Sequence, residues 1–179
     1  MSQYFKFIAT KIEGLFVIKR NLIEDDRGFF GRFFCAEDFK ELGFSESIKQ
    51  MNYSSTKHKG SIRGMHFQNP PYSEIKVVSC IKGKVFDVAV DIRKDSPTYL
   101  HWHGEVLSAD KDSSFYIPDG FAHGFQTLTD NCQLLYIHSE FYKPNAEGVL
   151  NAFDSKIDIA WPLEVTEMSD RDRNHTQLD

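Results

Sequence analysis

The amino-acid sequence predicts an all-β protein built as an antiparallel sandwich or barrel. Three observations support this fold class: many short apolar runs of strand length, turn sequences between them, and few helical patterns. With 179 residues, 41% apolar and 26% charged, the chain has the composition of a globular domain and not that of a disordered tail. We therefore expect residues 1–179 to form a single domain that buries its own core.

The first elements along the chain are a strand and a short helix. Leu15–Ile18 is an apolar run of strand length. In the segment 36–42, Phe39 and Leu42 lie three positions apart behind acidic residues suited to a first helical turn. Gly43 follows, where a helix would end. The sequence thus predicts one short helix over residues 36–42.

Most of the remaining chain consists of apolar runs that predict strands. These runs are Ile75–Ile81, Val85–Ile92, Val106–Leu107, Phe115–Ile117, Phe125–Leu128 and Leu134–His138. In Val85–Ile92 the even-numbered positions are apolar, whereas Asp87 and Asp91 alternate with them. This period of two is typical of a half-buried strand, so we expect the two aspartates to lie on its polar face.

The charge pattern argues against a nucleic-acid partner. The net charge is −5, and the 21 basic residues are scattered along the chain. An anionic small molecule remains a suitable partner, because a few converging arginines suffice to bind one. No run approaches the roughly 20 apolar residues of a membrane helix, and we expect neither an anchor nor a signal peptide. Three widely spaced cysteines favour reduced thiols in a cytoplasm.

Three residues stand where side chains with acid–base chemistry meet strand patterns. In Ile62–Gln68, alternation places Arg63 and Met65 on one face and His66 on the other. His123 stands in a glycine-rich turn that leads into a strand, and Tyr136 shares a face with residues 134 and 138. From the segments alone, His66 and His123 are equally well interpreted as structural side chains that are satisfied by hydrogen bonds, and for Tyr136 the structural interpretation is favoured.

A metal site is the alternative that the sequence offers. His101, His103 and Glu105 share one face of any strand, and their ligand types suit iron, zinc or manganese. If the residues between them supply the buried face, these three point to solvent instead. The sequence favours the solvated face, and a metal-dependent enzyme stays open as the competing hypothesis.

Several motifs together resemble those of the nucleotide-sugar 3,5-epimerases, the family typified by dTDP-4-dehydrorhamnose 3,5-epimerase. The motifs are Ile62–Gln68, Lys76, Lys82–Arg93, Ser96-Pro97-Thr98 and Ile117–Phe125. Shorter ones near the two ends are Asp26-Arg27-Gly28, Tyr142-Lys143-Pro144, Trp161-Pro162 and Ser169-Asp170-Arg171-Asp172. Their order and spacing extend the resemblance over essentially the whole chain.

The resemblance implies a cupin-type double-stranded β-helix, or jelly roll, with a few short helices. It further implies a cytoplasmic homodimer without a cofactor or catalytic metal, in which a strand around Phe5–Ile8 adds to the partner's sheet. Family members invert carbon 3, carbon 5 or both of a 4-keto sugar on a nucleoside diphosphate, by way of an enolate. The expected setting is deoxysugar or heptose biosynthesis for a surface polysaccharide.

The resemblance also implies the roles of individual residues. His66 would be the base, Asp172 the carboxylate that orients it, and Tyr136 the acid. Lys76 would lie near the ketone oxygen. The implied substrate-binding residues are Arg27 and Arg63 at the diphosphate, with Gln50, Asn52 and His123 in the pocket. Without the resemblance, each arginine would be interpreted as part of a structural ion pair.

The chain departs from the family pattern at several positions. Arg32 replaces a glutamate, Tyr53 a histidine, Ile137 a lysine, and Asn151-Ala152 an arginine and a tryptophan. Because the proton-transfer groups are retained, the departures favour an altered sugar or base. Thymidine diphosphate is the family default, and GDP or CDP is the alternative. A jelly roll that binds carbohydrate without catalysis is the competing interpretation.

Overall fold

A computed structural model describes residues 2–45 and 47–178, and strands make up most of the regular structure in them. The strands are β1 (Phe5–Ala9), β2 (Phe16–Arg20), β3 (Ile23–Asp25), β4 (Gly28–Phe30), β5 (Gln50–Thr56), β6 (Ile62–Gln68), β7 (Lys76–Lys82), β8 (Lys84–Asp91), β9 (Trp102–Ser108), β10 (Ser113–Ile117), β11 (Phe121–Thr127), β12 (Cys132–His138) and β13 (Glu147–Val149). The helices are α1 (Ala36–Phe39) and α2 (Asp170–Arg173), with 3₁₀ turns at Lys40–Leu42 and Pro144–Ala146.

Eleven of these strands form two antiparallel sheets that pack around a common core. One sheet has the order β1-β2-β10-β7-β12-β5 and the other the order β13-β6-β11-β8-β9, while β3 and β4 pair as a separate hairpin. Val78 and Leu134 of the first sheet meet Val85 and Leu107 of the second, all fully buried. Each such side chain contributes about 1.5–3 kcal/mol by its burial. The predicted antiparallel sandwich is confirmed.

Segments outside the sheets cover their outer faces. The chain after β13 lies over the five-stranded sheet, where Ile157 packs in one cluster with Met65 and Val88. The predicted short helix is confirmed as α1 and its 3₁₀ turn, and its buried Phe39 contacts Phe5 edge-on over the six-stranded sheet. No helix in the described part of the chain is long and apolar enough to span a membrane.

The strand β8 is buried on both faces, which corrects the prediction of a half-buried strand. Its even-numbered positions face the chain after β13, which we call the C-terminal cover. Its odd-numbered positions face the space between the sheets, where Val85 and Ala89 join the core and Asp87 and Asp91 are 0% exposed. The period of two correctly predicted a strand. Its two faces, however, are both buried, because another layer of the protein covers each of them.

The hairpin of β3 and β4 stands apart from this packing. Ile23, Phe29 and Phe30 are 58%, 66% and 64% exposed on it. Neighbouring large apolar side chains that face water mark a surface for a partner molecule. We call these three residues the apolar hairpin.

Candidate active site

A cavity of about 860 Å³ opens between the two sheets. One wall is formed by β6 and β11 of the five-stranded sheet, and the other by β5 and β12 of the six-stranded sheet. The segment 167–172 closes part of the rim. The lining includes the predicted site residues His66, Lys76, His123, Tyr136 and Asp172, so the fold brings the proposed catalytic groups together.

A bulge in β6 places Arg63 and His66 on the same side of the strand. His66 pairs with His123 of β11, but Arg63 pairs with Phe125, so three steps along β6 match two along β11. Both side chains therefore line the cavity, whereas Met65 is buried beneath the C-terminal cover. The prediction that Arg63 lies opposite His66 with Met65 is wrong, because the bulge shifts the alternation by one.

Two glycines permit the close approach of β6 and β11 at this bulge. Gly64 has φ +127°, and a Cβ added there would lie 2.5 Å from the Cα of Gly124. A side chain would thus collide with the backbone of the neighbouring strand and would also strain its own. Glycine at position 64 therefore keeps His66 and His123 paired across the two strands.

The C-terminal segment returns to the cavity and brings Asp172 against His66. His66 Nε2 lies 2.8 Å from Asp172 Oδ1. Burial opposes ionisation of Asp172, but its hydrogen bonds with His66 and the Gly64 N–H, and the His66 charge, lower its pKa to about 2. When Nε2 donates to this carboxylate, the lone pair of Nδ1 is free to accept a proton. The C-terminal segment is thus folded over the cavity.

Arg171, which the sequence analysis did not single out, ties the same segment to the rim. Its Nη1 lies 2.9 Å from Glu147 Oε2, and its Nη2 lies 2.9 Å from His66 Nε2. The guanidinium thus links α2 to β13 through Glu147 and lies beside the histidine, but it cannot donate to Nε2 while that nitrogen donates to Asp172. The resemblance included Arg171 in a motif, but no local pattern shows that the motif docks against β13.

Tyr136 stands on the opposite wall from His66. Its hydroxyl lies 3.1 Å from Ser54 Oγ, and its ring faces His123 edge-on at 6.2 Å between ring centres. Burial raises the pKa of Tyr136 well above its usual value. The phenol is therefore protonated at neutral pH and can act as a proton donor.

His123 lies inside strand β11, and not in the turn where the sequence analysis placed it. Its Nε2 is 2.8 Å from Asp87 Oδ1, and both side chains are buried. Burial raises the pKa of Asp87, against the attraction of His123. Asp87 lies behind the cavity lining and was missed as a site residue, since alternation alone assigned it to a polar face.

Lys76 belongs to a charged cluster in the cavity wall. Its Nζ lies 3.0 Å from Glu74 Oε1 and 3.4 Å from the carbonyl oxygen of His66. The other oxygen of Glu74 lies 2.8 Å from Nδ1 of His138. These side chains are only 8–10% exposed. Glu74 was not predicted from the sequence, where its one signal is its position two residues before Lys76.

The predicted substrate-binding residues have different positions. Asn52, Arg63 and His123 line the cavity, whereas Gln50 lies behind Asn52 and donates to its Oδ1 at 3.0 Å. Arg27 does not line the cavity. It lies between β3 and β4, and its guanidinium pairs with Asp25 at 2.5 Å. The implied placement of Arg27 at the substrate is therefore not found within one chain, because the hairpin projects away from the sandwich.

The metal alternative has no ligand cluster in the part of the chain that the structure describes, where no three His, Cys, Asp or Glu side chains are grouped to hold an ion. The expected solvated face is wrong for His103 and Glu105, whose side chains are 29% and 31% exposed. The ring of His103 packs on Phe115 of the other sheet, 5.8 Å between ring centres. His101 precedes β9 and is exposed.

The positions that depart from the family pattern fall in different environments. Tyr53 lines the cavity and is 58% exposed. Ile137 faces the α1 side of the six-stranded sheet, and the Arg32 guanidinium lies over the ring of Tyr4. The segment 151–152 belongs to the C-terminal cover. Of these departures, Tyr53 is the one that faces the cavity.

The fold and the site together define an acid–base enzyme on a jelly-roll scaffold. A histidine–carboxylate pair occupies one wall, a protonated phenol occupies the other, and an ammonium group can stabilise an anion. A family model described as dTDP-4-dehydrorhamnose 3,5-epimerase matches residues 9–179. The dTDP-4-dehydrorhamnose 3,5-epimerase of Shigella flexneri is 40% identical over 168 residues, 93% of this chain and 92% of that protein. The chain belongs to the dTDP-4-dehydrorhamnose 3,5-epimerase family.

Solved structures of similar proteins agree with this assignment. The dTDP-4-dehydrorhamnose 3,5-epimerase of Bacillus anthracis, with TDP and pyrophosphate bound, has a TM-score of 0.93 at 36% identity, covering 97% of this chain and 99% of that one. The Legionella pneumophila dTDP-6-deoxy-D-glucose-3,5-epimerase, in complex with dTDP-4-keto-L-rhamnose, has a TM-score of 0.89 at 38% identity, covering 94% and 90%. The expected cupin-type jelly roll is confirmed.

Proposed function

We propose that this chain is an isomerase that epimerises a 4-keto sugar linked to a nucleoside diphosphate. The observation that carries the proposal is the placement of His66 with Asp172 on one wall of the cavity and Tyr136 on the other. Epimerisation needs a base on one face of the sugar and an acid on the opposite face. The two sheets of the sandwich supply one group each.

In this mechanism, Nδ1 of His66 takes the proton from a carbon next to the ketone, and the Asp172 carboxylate stabilises the imidazolium. The ammonium of Lys76 stabilises the enolate oxygen, a contribution of about 10²–10³ in rate for such groups. The phenol of Tyr136 then donates a proton from the other face. Carbon 3, carbon 5 or both can react, since one base and acid pair serves either position when the ring is re-seated.

Substrate binding is assigned to the remaining lining residues. Arg63 donates to Thr56 Oγ1 at 3.0 Å and its guanidinium is accessible from the cavity, which suits a contact with the diphosphate. Asn52 and His123 would contact the sugar, and Tyr53 at the rim would meet the base. Thymidine diphosphate is the expected carrier, with GDP or CDP as the alternative.

The functional unit in this proposal is a homodimer. The apolar hairpin supports it, because a second chain would remove those side chains from water. The hairpin also carries Arg27, which reaches a diphosphate only in a cavity other than the one of its own sandwich. We assign the enzyme to the cytoplasm, without a cofactor, in deoxysugar or heptose biosynthesis for a surface polysaccharide.

The test is incubation in heavy water with 4-keto-6-deoxy sugars on dTDP, GDP and CDP carriers, followed by mass spectrometry. Each epimerised carbon acquires one solvent deuterium, so two deuteriums indicate a 3,5-epimerase and one indicates a single-site epimerase. The responding carrier identifies the nucleotide. The His66→Asn variant serves as the control and should lose about 10²–10⁴ in rate. Equal incorporation by this variant would rule out His66 as the base.

A further inference from the structure

A chain of hydrogen bonds runs along the wall of β5 and β12 and ends at Glu74. The backbone N–H of Tyr142 donates to Gln50 Oε1 at 3.0 Å, and Gln50 Nε2 donates to Asn52 Oδ1 at 3.0 Å. Asn52 Nδ2 lies 3.3 Å from Nε2 of His138, whose Nδ1 lies 2.8 Å from Glu74. The four bonds connect a loop at the rim with the charged cluster around Lys76.

The two ends of this chain determine its direction. A backbone N–H can only donate, and an ionised carboxylate can only accept. Glu74 is ionised: burial opposes this, but the His138 hydrogen bond and the Lys76 charge hold its pKa below the usual value. A neutral His138 therefore carries its proton on Nδ1, so that Nε2 accepts from Asn52. Every donor in the chain points toward Glu74.

We propose that Glu74 and His138 are positioning residues. They fix the amide of Asn52 with its N–H group toward the end of the cavity that Lys76 lines, where the sugar would bind. The inference rests on the proposed function and assigns His138 a role in it. One hydrogen of Asn52 Nδ2 bonds to His138, and within the described chain the second is left for a ligand. Lys76 is held by the same carboxylate. Asn52 and Lys76 then each present a donor at this end of the cavity.

The proposed arrangement selects the chemistry of the bound group. Donors on Asn52 and Lys76 favour an oxygen that only accepts, as in a ketone, an enolate or a phosphoryl group, over a hydroxyl that must also donate. If His138 lacked its bond to Glu74, Asn52 could turn and present its carbonyl oxygen instead. A ketone oxygen would then meet a lone pair.

The test compares two variants of His138 in the full-length protein. His138→Gln keeps a donor for Glu74 and an acceptor for Asn52, whereas His138→Leu keeps neither. We expect His138→Leu to raise KM about tenfold, the effect of one lost hydrogen bond, with kcat changed by less than about threefold. His138→Gln should stay within about threefold of the wild type in KM. Equal KM values for the two variants would overturn the proposal.

A double-mutant cycle tests whether His138 acts through Asn52. In an Asn52→Ala background, which itself raises KM, adding His138→Leu should leave KM unchanged. If the two tenfold effects on KM multiplied, His138 and Asn52 would act independently, and the proposed positioning role of His138 would be rejected. The tautomer of His138 is measured separately by ¹⁵N NMR of the histidine rings, without any substrate. A proton on Nε2 at neutral pH would contradict the stated direction even if turnover failed for another reason.

Discussion

At the scale of single residues, the site separates a base and an acid by the width of a cavity. The His66 imidazole is held by Asp172 at 2.8 Å, and the Tyr136 phenol is held by Ser54 at 3.1 Å. The two groups belong to different sheets, so neither can take over the position of the other. Each half-reaction therefore depends on one side chain.

Replacing Tyr136 by Phe should uncouple hydrogen exchange from inversion. His66 can still remove a proton and return a solvent hydrogen to the same face, but the opposite face has lost its donor. We expect inversion to fall by about 10²–10⁴ while deuterium still enters the substrate. Mass spectrometry and NMR of the product measure the two rates, and Tyr99→Phe, which changes an exposed tyrosine outside the cavity lining, is the control. If exchange and inversion fell together, Tyr136 would not be a dedicated acid.

At the scale of elements, the paired strands β6 and β11 require glycine at position 64. Gly64→Ala should lower the free energy of unfolding by at least about 1–3 kcal/mol, because the added Cβ overlaps the Gly124 backbone. Gly43→Ala is a matched control, since Gly43 has φ +90° and a Cβ added there meets only the Tyr116 hydroxyl, at 3.8 Å. Urea denaturation measures both variants. An equal loss in the two would show that backbone strain alone, and not close approach, governs position 64.

The docked segment around α2 should show a pH dependence that comes from Asp172. Its pKa is lowered to about 2 in the folded chain from an ordinary value near 3.8. The carboxylate thus stabilises the folded state fully above about pH 4, and this contribution is lost as the pH falls from 4 toward 2. The difference in unfolding free energy between wild type and Asp172→Asn should shrink over that window. A difference independent of pH would mean that the ionised form is not favoured by folding.

The elements also show which parts of the architecture were predictable from sequence. The central strands β2, β7, β8, β10, β11 and β12 and the helix α1 followed from apolar runs, because local spacing reports burial on one side of the backbone. The polar strand β5, the short strands β3, β4 and β13, and the helix α2 were not predicted in this way. The environment of Asp87 did not follow, since its face is covered by a sheet that is distant in sequence. The placement of Arg63 depended on a bulge, and bulges leave no periodic signal. The partners of Lys76 and His66 depended likewise on how Glu74 and Arg171 dock.

At the scale of the whole molecule, the apolar hairpin should join two chains. A Phe29→Ser, Phe30→Ser double variant should shift the mass in light scattering from dimer toward monomer, because about two-thirds of each ring is exposed in a single chain. Phe153→Ser, which changes an exposed ring on the C-terminal cover, is the control. A wild-type protein that is monomeric at working concentration would refute the dimer.

The family resemblance predicted the roles of the functional residues, which local sequence patterns left open. Taken alone, His66 and His123 were equally well explained as structural side chains, and Tyr136 was better explained as one. The family motifs placed them in one cavity, and the fold does the same. Arg27 is the exception, because it does not line the cavity of its own chain and would reach a substrate only in an assembly of two chains.

The pairing of His66 with Asp172 joins positions that are 106 residues apart. The base is preorganised only after the segment 167–172 has docked, and Met168 of that segment packs against the cluster that contains Met65 and Val88. Turnover in this mechanism therefore also reports whether the C-terminal segment has docked on the sandwich.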